Sequence, residues 1–587
     1  MKFYKNVPIL GLLFILITFY SCQENEDAMV ETPHYPIVHQ LTEPQSLNPA
    51  NSKGSESTVI YYNMFQELIN ADFKTMEIIP VLAKARPTFT SISGSNLVEM
   101  AFEIRAAAAW DNGTPITGED IAFSLKVIKV PQTDNGFKKP YFDYIKDIVI
   151  DEDNPKKFKF ICEPYMLAEQ VMSDLHTMPQ YIYDPENILA DYSIKALSNP
   201  ALKAKHEADP KLKKFAEAFN SPNFQREVIV GSGPYELASW ETGQRVVLSK
   251  KKNWWGEKET ANHWLTTNQD TIVYEVIADP IIAFAALKQG RVNTLAAIDA
   301  RLFKNEAQTP QFQEAFHTGQ PSSYSYDYIG FNLDDPKFKN INTRKAIAHL
   351  VNKQELIDVI LEGYGKQITS FIHPSKKKFL NSDVKPFTFN TELASKYLKE
   401  AGWEDSDNDG ILDMMYEGQK ITLTIKMITN NENTRRKAIC ESFKEAAEQV
   451  GIEVNIETPI WGNFPPMIMG KKFDLFVLGL ISSPFESDPK QSWHSSSIKK
   501  GSNYVGYNNP EVDKIIDEMR MEVIEEKRLP HYQRIHKLIH DDIPVIFIMT
   551  QDERIAVNRV FDNVYFNGMK PGFWAPGFTI SEQMTSH

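Results

Sequence analysis

The stretch from residue 420 to 481 constrains the fold most, because its hydrophobic pattern switches between the strand and helix periods. Apolar side chains alternate in KITLTIKMI, return with helical spacing up to Gly451, and alternate again after it. The run FDLFVLGLI, 473–481, is almost continuously apolar, as in a strand that helices cover on both faces. Strand, helix, strand and a later buried strand predict an α/β fold with a parallel or mixed sheet.

Composition sets the size of the protein and excludes some classes of function. The chain has 587 residues, of which 42% are hydrophobic, enough for about two to four packed domains. Its formal net charge of -14 argues against a nucleic-acid partner, because phosphate binding requires a clustered basic surface. The phosphate-loop, HExxH zinc and GxSxG serine motifs are all absent from the sequence. We therefore expect a protein that is not an enzyme, and a hydrolase has no motif in its favour.

The N-terminus has the layout of an export signal. Two early lysines precede an apolar run of 14 residues, Val7 to Tyr20, whereas a membrane-spanning helix needs about 20 residues. The run leads into FYSC, which resembles a relaxed bacterial lipobox in which the cysteine is lipidated. We predict a signal peptide over 1–21 and a lipidated Cys22 that begins a tether over 22–35.

The tether starts with QENED, an acidic stretch without hydrophobic residues. It resembles the export signal that carries some Bacteroidetes lipoproteins to the outer-membrane surface, but a plain solvated linker is the simpler interpretation of five residues. We expect a membrane-anchored lipoprotein of the cell envelope that faces the periplasm, with the outer-membrane surface as the alternative.

Four carboxylates lie close together in EDSDNDGILDM, 404–414. Counted as an EF-hand-type loop from Asp405, Asp407 takes position 3, Asp409 position 5, Gly410 position 6 and Asp413 position 9. Position 12 lacks the bidentate glutamate of a complete loop. The pattern fits either a partial loop for a structural Ca²⁺ ion or a solvated turn, and we expect no required cofactor.

Two further pairs of side chains leave alternatives open. His536 and His540 lie one helical turn apart, a spacing that fits a shared cation but is more common for packing or surface residues. With Cys22 lipidated, Cys162 and Cys440 remain. In an exported protein they form either one disulfide or two buried free thiols.

One long stretch carries a specific resemblance. GSGPYELASWETGQRVVLSKKKNWWG, 231–256, resembles the GTGPY, W-x-x-G, R-x-x-L and N-x-x-Y-W-G sequence of the family 5 extracellular solute-binding proteins. These are the oligopeptide, dipeptide and nickel receptors of ABC importers. Further blocks of the family resemble FEIRAAAAWDNGTPITGEDIAFSL, ALKQGRVNTLAAI, YIGFNLDDPKFKNINTRKAIAHLVNKQELID and YNNPEVDKIIDEM. The resemblance runs from about His39 to Phe566.

Several of the matching residues have local structural reasons. Gly233 and Pro234 predict a turn before a strand. Thr117 and Asp120 have the spacing of a capping box at the start of a helix. These residues therefore identify the fold rather than bind a ligand.

The resemblance implies a two-lobed α/β clamp, the type II periplasmic-binding-protein fold with an extra inserted subdomain. The two lobes close on a ligand at a hinge and bury it from water. The implied boundaries are 36–70 with 226–325 and 549–587 for the core of lobe I, 71–225 for its inserted subdomain, and 326–548 for lobe II. SYSYDYIGFN and VIFIMTQDE would supply the two hinge crossings.

In the peptide-binding members of the family, the ligand is extended and is held through its backbone, with water-filled pockets for its side chains. By position, the resemblance assigns ligand contacts to Gly54, Ser55, Tyr326, Tyr328, Asn332 and Trp461.

The sequence departs from the family at the residue that binds the peptide amine, an Asp three residues after a Trp. In LGLISSPFESDPKQSW, Leu480 takes the Trp position, and Ser483 or Phe485 takes the Asp position. Glu486 and Asp488 are the acids left to replace it. A peptide in an altered binding mode, a modified peptide and a non-peptide solute therefore all stay open.

These features together predict a monomeric, lipid-anchored substrate-binding protein. It would capture a small solute, with a peptide as the first candidate, and deliver it to the permease of an ABC importer. The alternative is a surface-exposed lipoprotein that uses the clamp for sensing or adhesion without a permease.

Overall fold

The computed structural model describes residues 33–52, 54–135, 138–259, 262–481, 483–499 and 501–582. The predicted signal peptide, Cys22 and most of the tether lie outside these residues. None of the helices in the described ranges has both the length and the apolar character that a membrane crossing requires.

A seven-stranded sheet forms the core of the first lobe. Its central strand, Ile37–Gln40, runs parallel to Thr271–Val276 on one side and to Thr294–Leu295 on the other, and the outer pairings are antiparallel. In spatial order the strands are Phe316–Gly319, Ile555–Asn558, Thr294–Leu295, Ile37–Gln40, Thr271–Val276, Arg245–Lys250 and Tyr235–Glu241. The helices of this lobe are Ser55–Tyr61, Pro280–Lys288, Ala300–Glu306 and Pro310–Ala315. Two short antiparallel strand pairs join Ile69–Ala71 to Ile78–Pro80 and Phe561–Asp562 to Thr579–Ile580.

A four-stranded antiparallel sheet lies within the segment predicted as an insertion. Its strands, in spatial order, are Thr88–Ser91, Val98–Glu103, Lys157–Cys162 and Ile145–Ile150. The main helix is Gly118–Lys129, and it begins with the predicted capping box of Thr117 and Asp120. The shorter helices are Lys139–Phe142, Ala168–Val171, Gln180–Tyr183, Ile194–Leu197, Lys203–Ala208 and Pro210–Phe219.

The second lobe is built on a six-stranded mixed sheet. In spatial order its strands are Gly365–Gln367, Val545–Gln551, Ser325–Phe331, Leu475–Ile481, Thr424–Ile428 and Glu453–Glu457. The larger helices are Ile341–His349, Lys353–Ile360, Thr391–Glu400, Thr434–Glu448, Phe464–Met469, Pro510–Arg520 and Glu525–Asp542, and Lys490–Trp493 adds one turn. A separate hairpin pairs Asp413–Tyr416 with Gln419–Thr422.

The predicted strand–helix–strand unit is confirmed, with one difference. Thr424–Ile428 pairs in parallel with both Glu453–Glu457 and Leu475–Ile481, around the helix Thr434–Glu448. The predicted single strand over 420–428 is two strands, because the chain leaves the hairpin at Leu423 before it enters the sheet. The alternation of apolar and polar side chains continues across the break between the two strands, because the apolar residues on both sides pack into the same core.

The chain passes between the two large sheets twice, at 320–324 and at 552–554. The two crossings lie side by side: the Ser323 amide donates to the Gln551 carbonyl (2.8 Å), and the Glu553 amide donates to the Pro321 carbonyl (2.8 Å). The two-lobed α/β architecture implied by the resemblance is confirmed. Cys162 and Cys440 lie in different lobes as buried free thiols, and burial raises the pKa of Cys162 to about 12.

Candidate functional site

A cleft of about 780 Å³ lies between the lobes beside the two crossings. One wall comes from the first lobe and its insertion, the other from the end of the strand Leu475–Ile481 and the residues after it, and the crossings form the base. About half of the lining side chains are apolar or aromatic, and the others are polar or charged. The lining includes Val59, Tyr62, Asn70, Tyr141, Gln170, Tyr324, Ile481, Phe485, Gln551, Glu553 and Lys570.

The GSGPY motif holds the first-lobe wall in place. The Gly233 amide donates to the Met64 carbonyl (2.8 Å), and the Tyr235 amide donates to the Asn63 carbonyl (3.1 Å). A Cβ on Gly231 would lie 2.3 Å from the Met64 carbonyl oxygen, so the backbones approach too closely for any side chain. The motif therefore fixes the segment after the helix Ser55–Tyr61, which carries Tyr62 into the cleft.

The second-lobe wall has an exposed apolar tip. Ile481, the last residue of its strand, is 88% exposed and faces the cleft. Behind it, the Lys376 amine donates to the Ser483 carbonyl (2.8 Å), and burial lowers the pKa of Lys376 to about 7. Ser483 and Phe485, the two positions that replace the family's amine-binding Asp, both line the cleft without a carboxylate.

The two acids predicted to replace that Asp pair with arginines of this chain. Arg528 donates its Nε to Glu486 (2.8 Å), and both side chains are almost completely buried. Burial raises the pKa of the Glu486 carboxyl, and Arg528 opposes the shift. Arg520 donates its Nε to Asp488 (2.7 Å). Neither acid lines the 780 Å³ cleft, and their assignment as ligand contacts stays a prediction.

The other predicted ligand residues are spread over the molecule. Ser55 lines the cleft, and Gly54 precedes it with a positive φ of 112°. Tyr326 and Tyr328 line a separate cavity of about 20 Å³ inside the second lobe. For these four residues, ligand contact stays a prediction.

Asn332 and Trp461 make contacts within the second lobe. The Asn332 amide group donates to the Phe473 carbonyl (3.1 Å). Trp461 is 53% exposed, and its ring centroid lies 6.0 Å from that of Phe464. Neither residue lines the cleft, and their assignment as ligand contacts stays a prediction.

A second cavity of about 220 Å³ continues the cleft into the first lobe. It opens at the carboxyl ends of the parallel strands Ile37–Gln40 and Thr294–Leu295, the edge of an α/β sheet where ligands commonly bind. Glu553 and Lys570 line both cavities, together with Ser55, Val59, Gly568 and Met569. Sequence reasoning missed Glu553 as a site residue, although it ends the quoted crossing VIFIMTQDE.

Contacts across the lobes close one end of the cleft. The Met166 amide donates to the Arg520 carbonyl (2.9 Å), and the Gln170 side chain donates to the Glu486 carbonyl (3.1 Å). Lys378 of the second lobe also pairs with Glu77 at 2.8 Å. The insertion therefore touches the second lobe away from the crossings, and the first-lobe helix Ala300–Glu306 makes a further contact through Lys304 and Glu362 (2.8 Å).

The Asp-rich loop lies outside the cleft, between the helix Thr391–Glu400 and the hairpin strand Asp413–Tyr416. Oxygens of Asp405, Asp407 and Asp409 come within 4.8 Å of one another. Asp413 instead accepts from Ser406 (2.8 Å), and Lys420 pairs with both Asp407 (2.6 Å) and Asp413 (3.0 Å). One ammonium thus offsets two of the four carboxylates, and Ca²⁺ at this loop stays a prediction.

His536 and His540 do not face a common site. The Asn381 amide donates to His536 Nδ1 (3.0 Å), and His536 Nε2 lies 3.1 Å from the Thr369 hydroxyl. His540 Nε2 bonds the Lys385 carbonyl (2.9 Å). Protein groups occupy both ring nitrogens of His536, so it is a packing residue.

Comparison with known proteins shows which family has this architecture. The sequence profile of the bacterial extracellular solute-binding proteins, family 5 (middle region), matches residues 77–502. The oligopeptide-binding protein AppA of Bacillus subtilis is 25% identical over 529 residues, which cover 89% of this chain and 87% of AppA. The dipeptide-binding protein of Escherichia coli is 21% identical over 522 residues, covering 86% and 87% of the two chains.

A solved structure gives the same fold. The oligopeptide-binding protein AppA from Bacillus subtilis, in complex with a nonapeptide, superposes with a TM-score of 0.63 at 22% identity. The superposition covers 93% of this chain and 99% of that chain. These relatives are binding proteins, in line with the prediction that the chain is a receptor and not an enzyme. The chain belongs to the family 5 bacterial extracellular solute-binding proteins.

Proposed function

We propose that the protein binds a peptide in the cleft between its lobes and delivers it to the permease of an ABC importer. The observation that carries this proposal is the 780 Å³ cleft, which both lobes line at the two chain crossings. The 220 Å³ extension makes the site long, which suits an extended ligand better than a compact one. The solved relative with a bound nonapeptide supports the choice of a peptide.

The cleft also suits ligands of varied sequence. Its apolar side chains come from several separate segments, so no single deep pocket demands one side chain. The polar groups at its base, Gln551 and the Ser323 and Ser325 hydroxyls, can bond backbone groups that all peptides share. Selection by side chain is therefore weak along the 780 Å³ cleft.

The anchoring and location belong to the same proposal. Cys22 carries a lipid, the residues after it act as a tether, and the folded chain works as a monomer at the cell envelope, facing the periplasm. The export-signal pattern before Cys22 supports this placement. Protease treatment of intact cells should leave such a receptor uncut, whereas rapid cleavage would favour the surface-exposed alternative.

Thermal unfolding of the purified protein tests the binding function. A random pentapeptide library should raise the melting temperature, because a ligand that binds only the folded state adds about 2.7 kcal/mol of stability at 100 times its Kd. A mixture of monosaccharides at the same concentration is the control. If peptides and sugars alike leave the melting temperature unchanged, the peptide-binding function is wrong.

A further inference from the structure

The acids around the cleft differ in whether a cation neutralises them. A further cavity of about 330 Å³ lies between the insertion and the second lobe, next to the cleft. Five of the carboxylates that line this cavity or the cleft have a cationic partner in this chain. They are Glu77 and Glu525 with Lys378, Glu169 with Arg86, Asp174 with Lys138, and Glu486 with Arg528. Each of these pairs would have to break before the carboxylate could bind a charged ligand group, which is costly for the buried ones.

Glu553 is different. Among the described residues, no side chain forms a hydrogen bond or a close ion pair with its carboxylate, and Arg554 attracts it only through a longer-range charge interaction. The next residue, Arg554, directs its guanidinium to the carbonyls of Ile298 (2.5 Å) and Asp552 (2.7 Å) instead. The other acid at the 220 Å³ cavity, Glu56, accepts from the Ser55 hydroxyl (3.0 Å).

The backbone around Glu553 is fixed while its carboxylate stays available. Its amide donates to the Pro321 carbonyl on the other crossing (2.8 Å), and the preceding Asp552 amide donates to the Tyr364 carbonyl (2.9 Å). The residue is half-buried and lines the junction of the two cavities. A partly desolvated carboxylate on a fixed backbone binds a cation more strongly than a solvated surface acid does.

We propose that Glu553 binds the positively charged group of the ligand, which under the proposed function is the α-amine of the peptide. In the family, an Asp of the second lobe binds the peptide amine. In this protein, Glu553 at the crossing between the lobes takes that role. The 220 Å³ cavity beyond Glu553 then receives the first side chain of the peptide. Its wall residues Val59, Ala283, Leu295, Ile298 and Met569 favour an aliphatic one.

The test compares peptides that differ only in the amine charge. The protein is incubated with a random pentapeptide library of which half is N-acetylated, and the retained peptides are counted by mass spectrometry. The wild-type protein should enrich free-amine peptides about tenfold or more, the effect expected for one charge-assisted hydrogen bond. Peptides with an aliphatic first residue should lead the retained set.

Glu553→Gln keeps the shape of the side chain and removes its charge. This variant should retain acetylated peptides as the wild type does and lose the preference for free amines. Glu445→Gln, the same change at an exposed position on the helix Thr434–Glu448, is the matched control and should keep the preference.

The outcomes distinguish a wrong assignment of Glu553 from a wrong peptide-binding function. If Glu553→Gln keeps the tenfold preference, or if the wild type shows none while still binding peptides, Glu553 is not the anchor and the proposed function stands. If neither form of the library is retained by the wild type, the proposed function itself is wrong, and the assignment of Glu553 falls with it.

Discussion

Buried histidines act as neutral hydrogen-bonding groups in the second lobe. His373 accepts from the Ser375 amide (3.2 Å) through Nδ1 and bonds the Ser323 carbonyl at the crossing (3.0 Å) through Nε2. His536 has the same arrangement, with the Asn381 amide on Nδ1. Because Nδ1 accepts a hydrogen bond from a backbone amide in both residues, each imidazole is neutral in the folded protein. Burial lowers the pKa of both histidines to about 4.

This arrangement predicts a loss of stability in acid. The folded-state pKa of His536 lies below its ordinary value of 6.5, so protonation favours the unfolded state. The contribution of His536 is complete above pH 6.5 and is lost as the pH falls from 6.5 to 4, by up to about 3 kcal/mol. Urea unfolding across this pH range should show the loss. The His536→Gln variant should be less stable than the wild type at pH 7, but its free energy of unfolding should fall less between pH 6.5 and 4. If the free energy of unfolding depends on pH in the same way in the variant and the wild type, the role given to His536 is wrong.

At the scale of elements, the glycines of the GSGPY motif allow its backbone to pack closely against the backbone of Asn63 and Met64. A Cβ on Gly233 would lie 2.6 Å from the carbonyl carbon of Met64, a distance that requires one backbone to move. Trp254 and Trp255 also donate to the Ser232 carbonyl at 2.9 and 3.1 Å, so the WWG end of the stretch 231–256 packs against the GSGPY motif at its start. The stretch 231–256 therefore holds the segment that follows Tyr62 in a fixed position.

Gly233→Ala should destabilise the protein by about 1–3 kcal/mol, the usual cost of forcing extra volume into a packed site. Equilibrium unfolding in urea measures the change. Gly462→Ala is the matched control, since nothing lies within 4 Å of a Cβ at that position and its φ is not positive. Equal stabilities for the two variants would mean that the close backbone approach does not constrain Gly233.

The elements show where prediction from sequence succeeds and where it fails. The unit from Thr424 to Ile481 and the Thr117 capping box follow from local patterns and are present in the structure. For Gly233 the sequence predicts only a turn, because the segment it contacts lies some 170 residues earlier in the chain. The same limit applies to Glu486: its distance from Arg528 depends on how the second lobe packs.

The site as a whole depends on how the two lobes meet. The family resemblance predicts a cleft at the two crossings, and the cavity is there, with Ser55 and Ser483 on opposite walls. It does not predict that the acids of the second lobe are neutralised by arginines and that Glu553 is left without such a partner. That difference arises from pairings between residues far apart in the sequence, which no single motif contains.

Hydrogen–deuterium exchange with and without the random pentapeptide library tests the central claim, that the two lobes close on a peptide. We expect slower exchange on both walls and at the crossing together, over residues 55–62, 167–173, 483–486 and 551–553. The Asp-rich loop at 405–413 should exchange equally fast in both conditions. Protection confined to one lobe, or found only outside the cleft, would contradict the account.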